Sequence, residues 1–253
     1  MPRKARKKSE SEIYHIIMRG INRQSIFEDE EDYVKFIQVI QKYKMQSGYK
    51  IYAYCLMGNH VHLLLKTGIE PLEQVMRRIC GSYVYWYNWK YQRIGNLFQD
   101  RFKSEPVENE SYFVIVQRYI HQNPLKARLV GSIEQYKWSS FKEYINKTKF
   151  VDADYLLKLF NNDREEAIKG FYQFNNEVND DVCLDIEEKY RITDEEARNI
   201  IKKVCKVQNT PDLQKSDILK RNMYLKELKE EHGLSIRQIE RLTGINRGIV
   251  LKA

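Results

Sequence analysis

Two histidines one residue apart, His60 and His62 in the stretch Met57-Gly58-Asn59-His60-Val61-His62-Leu63-Leu64-Leu65, have the types and spacing of a divalent-metal site. On an extended strand, residues i and i+2 point to the same face, so both imidazoles are presented together while Val61, Leu63 and Leu65 line the other side. Alone, such a pair is ordinary, because imidazoles without a third ligand are common on half-buried strands. A second constellation stands downstream, in Arg118-Tyr119-Ile120-His121-Gln122-Asn123-Pro124. Tyr119 and Asn123 are four apart and share one face of a helix. Pro124 disfavours helical geometry at the residue before it, which puts Asn123 at or near the helix end, where its amide can turn toward a neighbouring strand. With 18 tyrosines in the chain, most must be packing residues. The Asn-Pro partner and the histidine pair set Tyr119 apart.

Taken together, these motifs resemble those of the single-tyrosine HUH transposases, and most closely the REP-associated tyrosine transposases. The matching stretches are Tyr14-His15-Ile16-Ile17-Met18-Arg19-Gly20, Gly58-Asn59-His60-Val61-His62-Leu63-Leu64, Phe98-Gln99-Asp100-Arg101-Phe102 and Tyr119-Ile120-His121-Gln122-Asn123-Pro124, in that order, within roughly residues 10–150. Gly58 stands where relatives often carry proline; both suit a turn before a strand. The resemblance implies cleavage of single-stranded DNA by Tyr119, a 5′-phosphotyrosine intermediate, and strand transfer by the released 3′-hydroxyl. It implies that His60, His62 and Asn123 hold Mg²⁺ or Mn²⁺, imidazole ligands being the more natural for Mn²⁺. Arg19, Arg101, Lys103, Lys126 and Arg128 are expected along the DNA backbone. No general base stands out, since His121, two residues from Tyr119 on a helix, points elsewhere. The expected partner is single-stranded or hairpin DNA formed by palindromic repeats, bound by a monomer or a homodimer.

Length and charge agree with a nucleic-acid partner. At 253 residues the chain suffices for one good-sized core and a smaller appendage. Residues 1–150 carry 25 Lys and Arg against 15 Asp and Glu, whereas residues 151–253 carry 18 against 20. The half with the candidate chemistry is therefore the cationic half, and a cationic surface attracts phosphate backbones in a salt-sensitive way. The tail Pro2-Arg3-Lys4-Ala5-Arg6-Lys7-Lys8 adds to it and is expected to be disordered until bound. Cys55, Cys80, Cys183 and Cys205 are scattered, without the spacing of a zinc knuckle or redox motif. No apolar run reaches the roughly 18 residues of a membrane span, and none follows the basic N-terminus, so a cytoplasmic, nucleoid-associated protein is expected.

The elements that must position these residues follow from periodicity. Tyr14 to Arg19 reads as a strand, followed by a turn at Gly20-Ile21-Asn22. A helix from about Asp29 has Tyr33, Phe36, Ile37, Ile40 and Tyr43 at helical spacing and ends at Gly48. Tyr49 to Met57 forms a second strand, joined by a Gly58-Asn59 hairpin turn to the histidine strand. A helix opens near Pro71 and runs through Val75, Ile79 and Tyr83, its aromatic run Tyr83 to Trp89 serving mainly as core. Leu97 to Val107 can supply a fourth strand, ahead of a helix from near Ser111. The order β-α-β-β-α-β is the split βαβ, ferredoxin-like pattern with an antiparallel sheet, an α+β fold.

Composition and patterning divide the chain into a basic tail over 1–9, the HUH domain over 10–150, a helical linker or bundle over 151–230 and a helix-turn-helix over 231–253. In the last, Ser235 caps one helix, Gly244 makes the turn, and Ile239, Leu242, Ile245 and Val250 pack the two together. Arg237, Arg241, Asn246 and Arg247 would touch DNA; the plain alternative is a helical hairpin that packs on the bundle. Three other functional readings compete. A histidine-triad nucleotide hydrolase needs a third histidine at the next same-face position, where this chain has Leu64. A two-tyrosine nickase needs a tyrosine one turn from Tyr119, where Ile115 and Asn123 stand. A transcriptional regulator acting through the terminal module, with a silent HUH domain, is opposed by the intact His60, His62, Tyr119 and Asn123.

Overall fold

The computed structural model describes residues 6–146, 150–185 and 192–253; most of the basic tail lies outside them. The chain divides into two compact units, one ending at Ile186 and the other beginning at Glu187. The first holds a four-stranded antiparallel sheet in the order β2-β3-β1-β4, built from β1 (Ile13–Arg19), β2 (Lys50–Met57), β3 (His60–Lys66) and β4 (Lys103–Pro106). With helices α1 (Glu30–Ser47) and α2 (Leu72–Lys90) between strands, this is the expected split βαβ arrangement.

Local signals explain the boundaries. Asp29 caps α1 by accepting from the Asp32 amide, while the Asp32 side chain accepts from the cap backbone, and Gly48 ends the helix at φ +65°. Lys90 at the far end of α2 bonds Asp29 and Asp32, tying the finish of one helix to the start of the other. Alternation along β3 buries Val61, Leu63 and Leu65, and α1 and α2 contribute Phe36, Ile40, Val75, Ile79 and Tyr83 to the same core cluster. The outer edge of β2 does not hang open. Leu56 N–H donates to Trp138 O and Ser140 N–H to Tyr54 O, both at 2.9 Å, so residues 138–140 cover a row of backbone groups that would otherwise invite another strand.

Several expectations need correction. Pro71 is the cap before α2, not its first residue. The aromatic run after Tyr83 is core only in part: Tyr83 and Tyr87 are buried, Tyr85 and Trp89 exposed. The fourth strand spans only Lys103–Pro106. Residues 97–99 make one isolated bridge, Gly20 with Phe98, plus the bonds Ile21 N–H to Leu97 O and Gln99 N–H to Arg19 O. The helix α3 (Glu110–Lys126) does not stop before Pro124 but passes through it. Pro124 lacks an N–H, so the Ile120 carbonyl loses its i+4 donor, yet Ala127 N–H still reaches Asn123 O at 2.9 Å. Burial of Tyr119 and Ile120 in the core holds the helix across the defect.

The region expected as a helical linker or bundle, residues 151–230, is helical and is divided between the two units. Helices α4 (Phe141–Ile145), α5 (Ala153–Phe160) and α6 (Arg164–Asn176) belong to the first unit, with Phe141, Leu156, Leu157 and Phe171 in its core. The second unit has its own small core, formed by α7 (Asp194–Cys205), a 3-10 turn at Thr210–Lys215, α8 (Ile218–Glu230), α9 (Ile236–Thr243) and α10 (Arg247–Lys252). Ser235 caps α9, Gly244 ends it in the left-handed region, and Asn246 caps α10. Among the described residues no helix is long and apolar enough to cross a membrane.

His121 is a structural histidine. It is fully buried, bonded through Nδ1 to Gln117 and through Nε2 to Ser140 Oγ at 2.7 Å, and flanked by Phe141 and Tyr144. Burial lowers its pKa from 6.5 to about 3. Below pH 6.5 the unfolded chain therefore takes a proton that the folded one refuses, and stability falls as pH falls toward 3. For this group the loss is roughly 1.4 kcal/mol per pH unit. Urea unfolding at pH 7 and pH 5 should show that share of the slope disappear in His121→Gln; an unchanged slope would contradict the assignment.

Candidate active site

The sheet has one face toward α3, and the pleat decides which side chains occupy it. In the β1–β3 register Arg19 lies opposite His60, Ile17 opposite His62 and His15 opposite Leu64; in the β1–β4 register Glu105 lies opposite His15. Directly opposed residues share a face, so Arg19, His15, His60, His62 and Glu105 all project the same way. Into this space α3 sends Tyr119, one turn before Asn123. The Tyr119 ring stands edge-on to His15 and His62, with centroids 5.9 and 5.8 Å away, and the His60 and His62 centroids are 5.1 Å apart.

Each imidazole has a defined neighbour. His60 Nδ1 is 2.7 Å from Asn59 Oδ1, and the Asn59 amide is oriented by its own Nδ2–H, which donates to Arg23 O at 3.4 Å. In the tautomer with the proton on Nδ1, Asn59 Oδ1 accepts it and Nε2 keeps its lone pair. Nε2 lies 3.4 Å from Asn123 Oδ1. His62 is fully buried; its Nδ1 lies 3.1 Å from His15 Nε2, and its Nε2 has no hydrogen-bond partner among the described residues. Burial depresses the pKa of all three histidines, that of His15 to about 3, and the neighbouring imidazoles push His62 down further. All are neutral at physiological pH.

A buried His62 nitrogen without a partner among the described residues, a second imidazole nitrogen on His60 and an amide oxygen 3.4 Å from the latter are donor types that suit a divalent cation. Among the described residues no group of three or more His, Cys, Asp or Glu side chains is arranged to hold a metal.

Tyr119 is almost enclosed, at 6 % exposure, and donates its hydroxyl to Asp185 Oδ2 at 2.7 Å. Burial first, and then the adjacent carboxylate, raise the phenol pKa far above 10. Asp185 ends a segment that runs back over α3: Arg118 pairs with Asp181 and Glu177, Gln122 donates to Glu177 O and accepts from Asn179, and Leu184 N–H donates to Glu105. Neither His15 nor Asp185 stands out in the sequence. His15 sits in a strand that reads as apolar, and only its register with β3 reveals the contact. Asp185 is 66 residues from Tyr119 in a charged stretch without a motif.

The remaining expected residues are spread more widely. Arg19 is half-buried beside His60, its Nε buried and without a partner among the described residues. Lys126 is exposed with its Nζ 5.2 Å above the Tyr119 ring, and Lys103 reaches Asp185 O at 3.5 Å, so both lie at the rim. Arg101 and Arg128 are exposed; no contact joins them to the histidines. In the second unit Arg237 and Arg247 are exposed, whereas Arg241 pairs with Asp194 and the Asn246 side chain is spent on capping α10.

Known proteins are similar to this chain over part of its length. The family model for IS200-like transposases matches residues 8–123, a stretch that includes His15, His60, His62, Tyr119 and Asn123. Among solved structures, a REP-associated tyrosine transposase bound to a REP hairpin superposes with a TM-score of 0.50 at 19 % identity, over 58 % of this chain and 87 % of that one. A Deinococcus radiodurans protein described as a candidate transposase aligns at 21 % identity over 48 % of this chain and 97 % of its own, with a TM-score of 0.34. A search among curated proteins finds no match. The histidine strand and most of the helix that faces it lie within the segment, residues 8–123, that is similar to the IS200-like transposase family.

Proposed function

We propose that the protein cuts and rejoins single-stranded DNA through a covalent 5′-phosphotyrosine on Tyr119. The observation that carries this reading is the meeting of one phenol with two imidazoles on one face of the sheet, His62 Nε2 being buried without a partner among the described residues and His60 Nε2 lying 3.4 Å from Asn123 Oδ1. His60, His62 and Asn123 would hold the divalent ion. Bound there, Mg²⁺ or Mn²⁺ supplies Lewis-acid polarisation of the scissile phosphate.

The residues of the chain account for the rest. The Tyr119 oxygen forms the bond to phosphorus as the bond to the 3′-oxygen breaks, and that oxygen leaves as a hydroxyl, protonated from solvent. Asp185, already holding the phenol proton at 2.7 Å, takes it as the bond forms and returns it when a 3′-hydroxyl attacks the phosphotyrosine and releases Tyr119. Arg19, with its unpartnered Nε beside His60, and Lys126 and Lys103 at the rim supply positive charge for the phosphates. The substrate proposed is hairpin DNA from palindromic repeats, the ligand class of the REP-bound structural relative. Of the four terminal candidates, the exposed Arg237 and Arg247 are the ones we assign to duplex phosphates, since the side chains of Arg241 and Asn246 are engaged within their own unit. A regulator with a silent domain has no use for a phenol and two bare imidazole nitrogens brought together.

Tyr119→Phe should fold and bind hairpin DNA but form no covalent adduct on a denaturing gel with DNA labelled 3′ of the cut. An adduct in that variant, or peptide mapping to Tyr112, would reject Tyr119. Asp185→Asn should slow adduct formation by roughly 10²–10⁴-fold with binding retained; an unchanged rate would remove Asp185 from the chemistry. Chelator, or the pair His60→Ala with His62→Ala, should abolish cleavage, and Mn²⁺ or Mg²⁺ should restore it only to the unsubstituted chain. Replacing Arg237 and Arg247 by Ala should make the salt dependence of DNA affinity shallower, by roughly 0.9 in log–log slope for each phosphate that is no longer neutralised.

A further inference from the structure

His15 has no part in the chemistry above, yet it is completely buried against the most buried of the proposed ligands. Its Nε2 lies 3.1 Å from His62 Nδ1, and the rings stack at 5.4 Å and 25°. A neutral imidazole has one N–H, so the contact admits two arrangements. In one, His15 Nε2–H donates and His62 carries its own proton on Nε2, pointing an N–H into the pocket where nothing accepts it. In the other, His62 Nδ1–H donates to His15 Nε2, the His15 proton sits on Nδ1, which is likewise buried without a partner among the described residues, and His62 Nε2 is a bare lone pair. Each arrangement leaves one N–H unmet, and only the second leaves His62 able to ligate.

We propose that His15 is a positioning residue, which accepts the His62 Nδ1–H and so locks His62 in the tautomer and ring orientation that present Nε2 to a divalent cation. The inference rests on the metal-site reading above. A parallel arrangement serves the other imidazole: Asn59 Oδ1 accepts from His60 Nδ1–H, and its amide is itself held by Arg23 O. Ligating histidines depend on such acceptors for orientation, and removing one typically costs 10–100-fold in metal affinity. His15 differs from the usual carboxylate or carbonyl in being a neutral ring. It fixes the ligand without placing a negative charge behind it, so the whole positive charge of the cation remains available to the phosphate. Its place in the interior follows from the register: on β1 opposite Leu64, it is the diagonal neighbour of His62 across the strand pair.

Two measurements on the full chain test this. In the metal-free protein, long-range ¹H–¹⁵N spectra of labelled histidines should show the His62 proton on Nδ1; a proton on Nε2 would overturn the proposal whatever the metal does. Titration with Mn²⁺ alone, followed by electron paramagnetic resonance, should give a site weaker by roughly 10–100-fold in His15→Leu. In His15→Gln affinity should return to within a few-fold of the original, because the Gln amide oxygen reaches the place of the imidazole Nε2. Equal affinity in all three chains, or the same weakening in both variants, would make His15 a packing residue only. If the unsubstituted chain binds no Mn²⁺, the metal-site reading fails, while the tautomer spectrum still decides the His15 contact.

Discussion

Desolvation of ionisable groups governs this site. Between the sheet and α3 lie three imidazoles and a phenol, largely shut off from water, and in such a medium a charged form is costly unless something compensates it. The consequence is uniform: every ring in the pocket is held neutral. For histidine, neutrality means a lone pair ready to ligate; for tyrosine, it means a proton that must be handed to someone. Contacts stand within reach of these groups: His15 Nε2 at His62 Nδ1, Asn59 Oδ1 at His60 Nδ1, and Asp185 at the phenol.

The scaffold makes that enclosure possible. The central strands β3 and β1 are paired on both sides, so their backbones carry no unmet polar groups into the interior, and the edge of β2 is closed by residues 138–140. On the other side α3 must lie flat across the sheet for more than four turns, and it does so despite Pro124, because the sheet supplies the packing that the missing N–H takes away. Tyr119 and Asn123 thus keep a fixed one-turn spacing, and the phenol and the amide arrive at the histidines as one rigid piece.

Much of this is legible in the sequence, and for local reasons. His60-Val61-His62 declares its faces by alternation, Gly48 the end of its helix, and Tyr33, Phe36, Ile37 and Ile40 the buried side of that helix by their spacing; each signal acts within a few residues. The proximity of Tyr119 and Asn123 to the strand follows once their shared helix face is seen, although Pro124 signals a helix end, an effect that tertiary packing overrides. What is not legible depends on distance along the chain. His15 looks like any polar residue in an apolar strand until the register with β3 is known. Asp185 meets Tyr119 only because residues 177–185 cross α3, held by Arg118 and Gln122. The reach of the first unit to Ile186 is hidden likewise, since α5 and α6 have ordinary amphipathic patterns that do not say which core they join.

The pleat of β3 also limits how such a chain can vary over generations. Because side chains alternate faces with a period of two, a single-codon insertion or deletion between Asn59 and His62 would turn the downstream part of the strand over. Valine or leucine would then face the phenol, and an imidazole would enter the packed layer beside Ile79 and Phe36, losing site and core in one step. Exchange of one aliphatic residue for another carries no such penalty. Heritable change in this strand is therefore confined to spelling, with its length held constant, while the loops around it remain open to growth.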